Sequence, residues 1–395
     1  MNIKLVDNYS TDIKDIIALT NEENSYFISS WDKSDNLFNL NSSILNECIN
    51  KQEHKNTYIM SKDMHELKSK ISNHLSQNNI HICQNQFTIV SNGTSAAFIS
   101  ILQAVQNKVN NFLCIGPIYF TYLQLINILN KKLFYYNVNL FQNEESDLSN
   151  IYKEILNKNI QGIILIQPYF GSGINITLKK LDNLITFCES NSIFLLIDYI
   201  YGNMEWNEKS HIHNYQLIQR VITSQHCIMY ESISKRIFLN GVKNAIIFGN
   251  SHLIQKINID SEICLGSLSY VQESLLDTLY LSNNLSKVEY FISDMLTYAQ
   301  NNYMLLKTLC MGSNILLCNT NSGYFTLVAI PSSCFYSTNN KEIMREIYQK
   351  TGIVTIPHSR YHYYLPQFYC FRINLISDTD KLINAFRKLL DICSN

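Results

Sequence analysis

The chain has 395 residues, with 31 Lys and Arg against 32 Asp and Glu, so no bulk field draws it to a nucleic-acid backbone or an anionic membrane. Hydrophobic residues make up 46% and charged residues 16%, which excludes a disordered chain and, at this length, allows two or three folding units. Eleven cysteines without a C-x-x-C pair, a start that lacks the layout of an export signal, and no bilayer-length apolar run together predict a cytoplasmic protein outside the membrane.

A helical stretch over 64–75 leads to a strand over 87–91, a helix over 95–105, a strand over 111–116, a helix over 121–130 and a strand over 132–138. The alternation continues with a strand over 162–167, a helix over 178–190, and strands over 193–198, 227–231 and 245–249. Continuous apolar strands separated by helices predict an α/β protein with a mostly parallel seven-stranded sheet covered on both faces. In such sheets ligands gather at the carboxyl ends of the strands. Past residue 250 the pattern changes to a long helical run over 270–309, strands over 323–330, 352–356 and 370–375, and a final helix over 378–393. The expected division is an N-terminal segment, 1–50, joining a small domain; a large domain, 51–270; and an interdomain helix with a small α+β domain, 271–395.

Three places after strands carry chemistry. Ser232-Ile233-Ser234-Lys235 follows the 227–231 strand, with Lys243 eight residues further on. Desolvation or a neighbouring cation would lower the Lys235 pKa and leave a free amine to attack an aldehyde, while serines and a second cation suit a phosphate. The plain alternative is a surface Ser-Lys-Arg turn. Gly93-Thr94-Ser95 joins a strand end to a helix start, where free amides and the dipole hold phosphate; the competing reading is an ordinary N-cap. Asp198 ends the 193–198 strand, and Tyr201 follows three residues later. A buried carboxylate there is costly unless it meets a cation, which a protonated pyridine nitrogen would supply; otherwise it caps the next helix.

The order and spacing of these sites resemble the class I/II aminotransferases of the fold-type I pyridoxal-phosphate-dependent enzymes, from about Tyr58 to Arg372. The resemblance implies the fold-type I transferase fold, pyridoxal 5'-phosphate held as a Schiff base on Lys235, and phosphate contacts from Gly93, Thr94, Ser95, Ser232, Ser234 and Lys243. It implies ring stacking by Tyr119, a pyridine contact from Asp198, a ring-hydroxyl contact and catalytic part for Tyr201, and substrate carboxylate binding by Arg372. It also implies a homodimer in which Tyr58 of one subunit reaches the other's phosphate. Two positions depart from the family pattern. Phe170 stands where the family has an asparagine on the ring oxygen, and Lys243 stands where it has an arginine.

The expected activity is transfer of an amino group between an amino acid and a 2-oxo acid. A lyase, cyclase, decarboxylase or oxidase acting through the same carbanion is the rival, and a non-catalytic cofactor-binding relative is a third reading. His211 and His213 lack further ligands at metal spacing, so no metal is expected. Gly171-Ser172-Gly173 has Ile176 where a dinucleotide fingerprint needs its third glycine. The Tyr361-His362-Tyr363-Tyr364 run is a candidate pocket wall or an interdomain packing element, and Arg236 reads as a solvated neighbour of Lys235.

Overall fold

The computed structural model describes residues 2–9, 13–34, 37–39, 44, 46–47, 58–60, 64–77, 79–142, 147–206 and 211–394; side chains at 211–214, 260–264, 282–283 and 394 are outside the description. His211 and His213, set aside above as metal ligands, therefore lie outside the described side chains.

The strands are, in chain order, β1 (Lys4–Leu5), β2 (Tyr26–Phe27), β3 (Phe87–Ser91), β4 (Asn111–Ile115), β5 (Lys132–Tyr136), β6 (Gly162–Ile166) and β7 (Phe194–Asp198). They continue with β8 (Cys227–Glu231), β9 (Asn244–Gly249), β10 (Leu316–Leu317), β11 (Phe325–Pro331), β12 (Ile353–Val354) and β13 (Phe368–Asn374). An eight-stranded sheet has the order β1-β5-β4-β6-β7-β8-β9-β3. From β5 through β8 neighbouring strands are parallel; β9 runs against both β8 and β3. Hence β3 points the same way as β7 and β8, and all three open their carboxyl ends on one edge of the sheet.

Every residue of β3, β6, β7, β8 and β9 is buried, as expected for strands covered on two faces. The covering helices show why. In Leu178–Ser190 the buried residues are Leu181, Leu184, Ile185 and Cys188, spaced by three, one and three along a single stripe. Burying one such leucine stabilises by about 1.5–3 kcal/mol. Helices Gly93–Val105 and Ser251–Leu265 pack together against β3 and β9, and His211–Thr223 packs on β8 and β9.

A second sheet, β10-β11-β13, is antiparallel and sets Leu327 opposite Arg372. A third pairs β12 with β2. The segment after β2 runs along β13: the Asn374 amide donates to the Ile28 carbonyl at 3.0 Å, and the Ser34 amide to Ile376 at 3.1 Å.

Two differences from the sequence reading stand out. The large sheet has eight strands rather than seven, because exposed Lys4–Leu5 adds antiparallel to the β5 edge; a two-residue strand has no periodicity to read. Of the described residues before 50, Lys4–Leu5 thus join the large sheet and Tyr26–Phe27 pair with β12. The helical run after residue 270 is two helices, Tyr270–Leu279 and Ser282–Cys310, with Leu281 extended between them. Buried Asn284 seals the break by donating its side-chain amide to the Thr278 carbonyl at 3.0 Å.

Candidate active site

The aligned carboxyl ends of β3, β7 and β8 deliver Gly93, Asp198 and the Ser232–Lys235 turn to one edge. Gly93 opens its helix with φ +78° behind Asn92, whose side chain makes no cap. The first amides of the helix are thus left for another acceptor. A Cβ at Gly93 would lie 3.2 Å from the Lys243 Cβ, so the turn and Lys243 meet, as the pairing of Ser91 with Asn244 requires. Thr94 and Ser95 are half-buried and Lys243 is exposed at the rim. Together these residues make a cradle suited to an anion.

Asp198 is buried. Its Oδ2 accepts from the Tyr122 phenol, which is also hydrogen-bonded to the Tyr230 phenol, and its Oδ1 accepts the Ile200 amide at 3.1 Å. Burial outweighs these bonds and lifts its pKa to about 6. The carboxyl group is therefore poised for a cationic partner. Tyr201 is buried close by, edge-on to Tyr324 and Phe325 with centroids 5.6 and 5.8 Å away. Burial raises its phenol pKa, and the Arg372 charge pulls the other way.

On β8's far side, Ser232 and Ser234 are buried and share a 2.7 Å hydrogen bond. Lys235 follows in the short helix Ile233–Arg236. Burial lowers its pKa; Asp32 opposes this, while the charges of Arg372 and Lys243 push it further down. An amine in that setting is more often unprotonated, which is the nucleophilic form.

Arg372 is wholly buried in β13. Its Nε and Nη2 both donate to the Ser29 carbonyl at 3.2 Å, its Nη1 has no partner, and no carboxylate among the described residues pairs with it. Rings of Phe325, Trp31 and Phe170 surround the guanidinium at 4.5, 4.8 and 5.7 Å. A buried cation with an orphan donor is a socket for a ligand carboxylate.

Tyr119 caps the helix Phe120–Ile128, with its ring 5.3 Å from Phe170 and 5.6 Å from Tyr122. Phe170 thus packs beside Tyr119, offering a ring face and no hydrogen-bond donor. Tyr361 abuts Phe170 at 4.9 Å, and its carbonyl accepts from Ile118 at 2.8 Å. Tyr58 is the exception: it is 86% exposed and is not brought to the other residues within this chain. Arg236, expected to be solvated, is instead buried with its Nη2 3.5 Å from Glu231, because the short helix turns it inward.

Sequence reading missed Tyr122, Tyr230 and His358. The two phenols lie 76 and 108 residues from the groups they meet, and their one local sign was a tyrosine inside an apolar run. His358 is buried, with its Nε2 3.3 Å from the Phe170 carbonyl. Burial holds its pKa down at about 3, so it stays neutral beside Arg372. Gly171, at φ +76°, admits it: a Cβ there would come within 2.8 Å of the His358 ring.

The family model described as aminotransferase class I and II matches residues 15–389. 1-Aminocyclopropane-1-carboxylate synthase 3 of Solanum lycopersicum is 25% identical over 269 residues, 64% of this chain; the chain spans about half of that relative's length, 55%. Among solved structures, an Escherichia coli protein identified as a methionine aminotransferase superposes with a TM-score of 0.79 at 16% identity, covering 98% of this chain and 99% of its own. The aromatic aminotransferase of Pyrococcus horikoshii OT3 gives 0.78 at 14% identity, covering 97% and 99%. Among the described residues no helix is long and apolar enough to cross a membrane, and no His, Cys, Asp and Glu group could hold a metal ion.

Proposed function

Since the chain belongs to the aminotransferase class I and II family, we propose that it is a pyridoxal-phosphate-dependent aminotransferase that moves an amino group from an amino acid to a 2-oxo acid. The observation that carries this reading is that one site holds a buried Asp198 which no cation among the described residues pairs, a buried Arg372 whose Nη1 has no partner, and the desolvated amine of Lys235. Each matches one part of the reaction. Asp198 suits a pyridinium nitrogen, and the Gly93–Ser95 turn, Ser232, Ser234 and Lys243 suit a phosphate. Tyr119 offers a ring face, and Tyr201 a phenol for the ring hydroxyl. When bound, the pyridine ring supplies an electron sink for the substrate's α-carbon.

Lys235 would hold the cofactor and, once freed, would serve as the general base for the substrate's α-proton. Arg372 would hold the substrate carboxylate through its free Nη1, fixing the α-carbon within reach of that amine. The rings of Trp31, Phe170 and Phe325 around Arg372 exclude water from the pair and so strengthen it. Tyr58, exposed on this chain, is the residue we assign to the neighbouring subunit's phosphate in a homodimer. The nine described cysteines are all free, which agrees with a cytoplasmic location.

The test is a screen of amino acids against the protein loaded with pyridoxal phosphate, with a 2-oxo acid as acceptor and mass spectrometry of both products. One new keto acid and one new amino acid should form in equal amounts. Lys235→Ala should lower the rate by at least about 10³-fold. Phe170 favours a second reading, elimination or another carbanion chemistry, because its ring gives no donor beside Tyr119. Ammonia release or oxygen uptake without a new amino acid would establish that reading and remove the first.

A further inference from the structure

A substrate whose carboxylate meets Arg372 has to lay its side chain nearby, so the surroundings of that arginine bear on which amino acid fits. The rings of Trp31, Phe170 and Phe325 enclose the guanidinium. Tyr361 continues the wall, edge-on to Phe170 and His358 with centroids 4.9 and 5.0 Å away. Such faces favour a flat, apolar body.

Charge narrows the choice. The cations that act on His358 and Tyr361 are Arg372 and Arg360. Arg360 is already engaged, because its Nη2 donates to both carboxylate oxygens of Asp15 at 2.7 Å. Once the substrate's α-carboxylate has taken Arg372, an acidic side chain would meet no uncommitted guanidinium here among the described residues.

His358 adds a polar requirement. It shares Gly171 with Arg372, since a Cβ on that glycine would lie 2.8 Å from the imidazole and 3.6 Å from the Arg372 Cβ. The Phe170 carbonyl beside Nε2 can only accept, so Nε2 carries the one hydrogen of the neutral ring. Nδ1 is left as a bare acceptor, buried and without a partner. A buried acceptor in that state is costly. An O–H or N–H on the ligand would satisfy it, whereas a carboxylate, itself an acceptor, would be repelled.

From the aromatic wall, the engaged Arg360 and the unpartnered Nδ1 of His358, we propose that the substrate is an amino acid with an uncharged aromatic side chain bearing a hydroxyl or ring N–H, which His358 selects by accepting that hydrogen. The inference rests on the reading of Arg372 as the socket for the substrate's carboxylate.

Inert carboxylates test it without the reaction, because they have no amine to exchange with Lys235. Titration calorimetry on the full-length, cofactor-loaded protein should show para-hydroxyphenylpropanoate binding at least tenfold more tightly than phenylpropanoate. Glutarate should bind at least tenfold more weakly than phenylpropanoate. His358→Phe should bring the hydroxyphenyl and phenyl ligands within about twofold of each other. If that variant fails to fold, para-methylphenylpropanoate on the parent protein decides, since it fills the same space without a donor and should bind at least tenfold more weakly than the hydroxyl ligand. Equal binding of the hydroxyl and methyl ligands overturns the proposal. So does a preference that survives in His358→Phe, glutarate binding as tight as that of phenylpropanoate, or no binding of the hydroxyl ligand at millimolar concentration. The two readings fail separately: absence of amino-group transfer with every amino acid removes the proposed reaction and leaves these binding ratios standing, whereas transfer accompanied by tight glutarate binding keeps the reaction and removes this inference.

Discussion

Asp198 and Arg372 are buried charges of opposite sign at two ends of one site, and the chain prepares them in different ways. Asp198 receives hydrogen bonds from Tyr122 and the Ile200 amide, yet its pKa still rises to about 6. Arg372 receives one carbonyl and three ring faces. The difference follows from acid–base chemistry. A carboxylate can escape the penalty of burial by taking a proton, whereas a guanidinium has no neutral form within reach. The aspartate can take up a proton once the pH falls below about 6, but the arginine has to be housed as a cation from the moment the chain folds.

That contrast can be broken most forcefully at the arginine. Arg372→Ala should reduce kcat/KM about 10³-fold, the effect of removing one partner from a buried charge pair worth about 4 kcal/mol. Steady-state kinetics on a variant shown by circular dichroism to be folded would check this; a loss under tenfold would mean that the substrate carboxylate binds elsewhere.

At the aspartate the expected effect has two signs. Its folded pKa of about 6 lies above the ordinary carboxylate value of 3.8, so between those values the folded chain binds more protons than the unfolded one. Stability of the cofactor-free protein should fall as pH rises from about 4 to about 6, by about 3 kcal/mol, and remain lower above that. Asp198→Asn should remove this fall, leaving the cofactor-free variant more stable than the parent at pH 7 and equal to it near pH 4. The same variant should hold pyridoxal phosphate less tightly. Urea unfolding at the two pH values, with dialysis of the loaded proteins, measures both.

A smaller change sharpens the contrast. Tyr122→Phe deletes one hydrogen bond that favours the charged carboxylate, worth about 1.5–3 kcal/mol, and should move the midpoint of the Asp198 stability profile upward in pH. A midpoint that stays or moves down would show that the phenol does not favour the anion.

How much of this was readable depended on sequence distance. The strands of the large sheet were legible because two-sided burial writes continuous apolar runs, and the residues after them were legible because strand ends gather ligands. Strand β1 was not, since two exposed residues carry no pattern. The break at Leu281 was hidden because leucine, tyrosine and asparagine do not interrupt a helical pattern, and the side chain that fixes it, Asn284, acts on a carbonyl of the preceding helix. Tyr122 and Tyr230 were passed over as apolar filling, because a phenol's partner is set by the fold and not by its neighbours. The inward turn of Arg236 had the same cause: its ion-pairing residue, Glu231, reads in sequence as a strand's polar end.

The Ser29 strap over Arg372 joins positions 343 residues apart. During synthesis, Ser29 and Trp31 leave the ribosome long before the strand that they enclose exists. The end of the site that we assign to the cofactor, residues 93 to 243, is complete in the chain before the arginine of the carboxylate socket is made. A chain short of residue 372 would leave Trp31 without the cation that it covers. The last strand, β13, therefore completes the socket that the first residues of the chain begin.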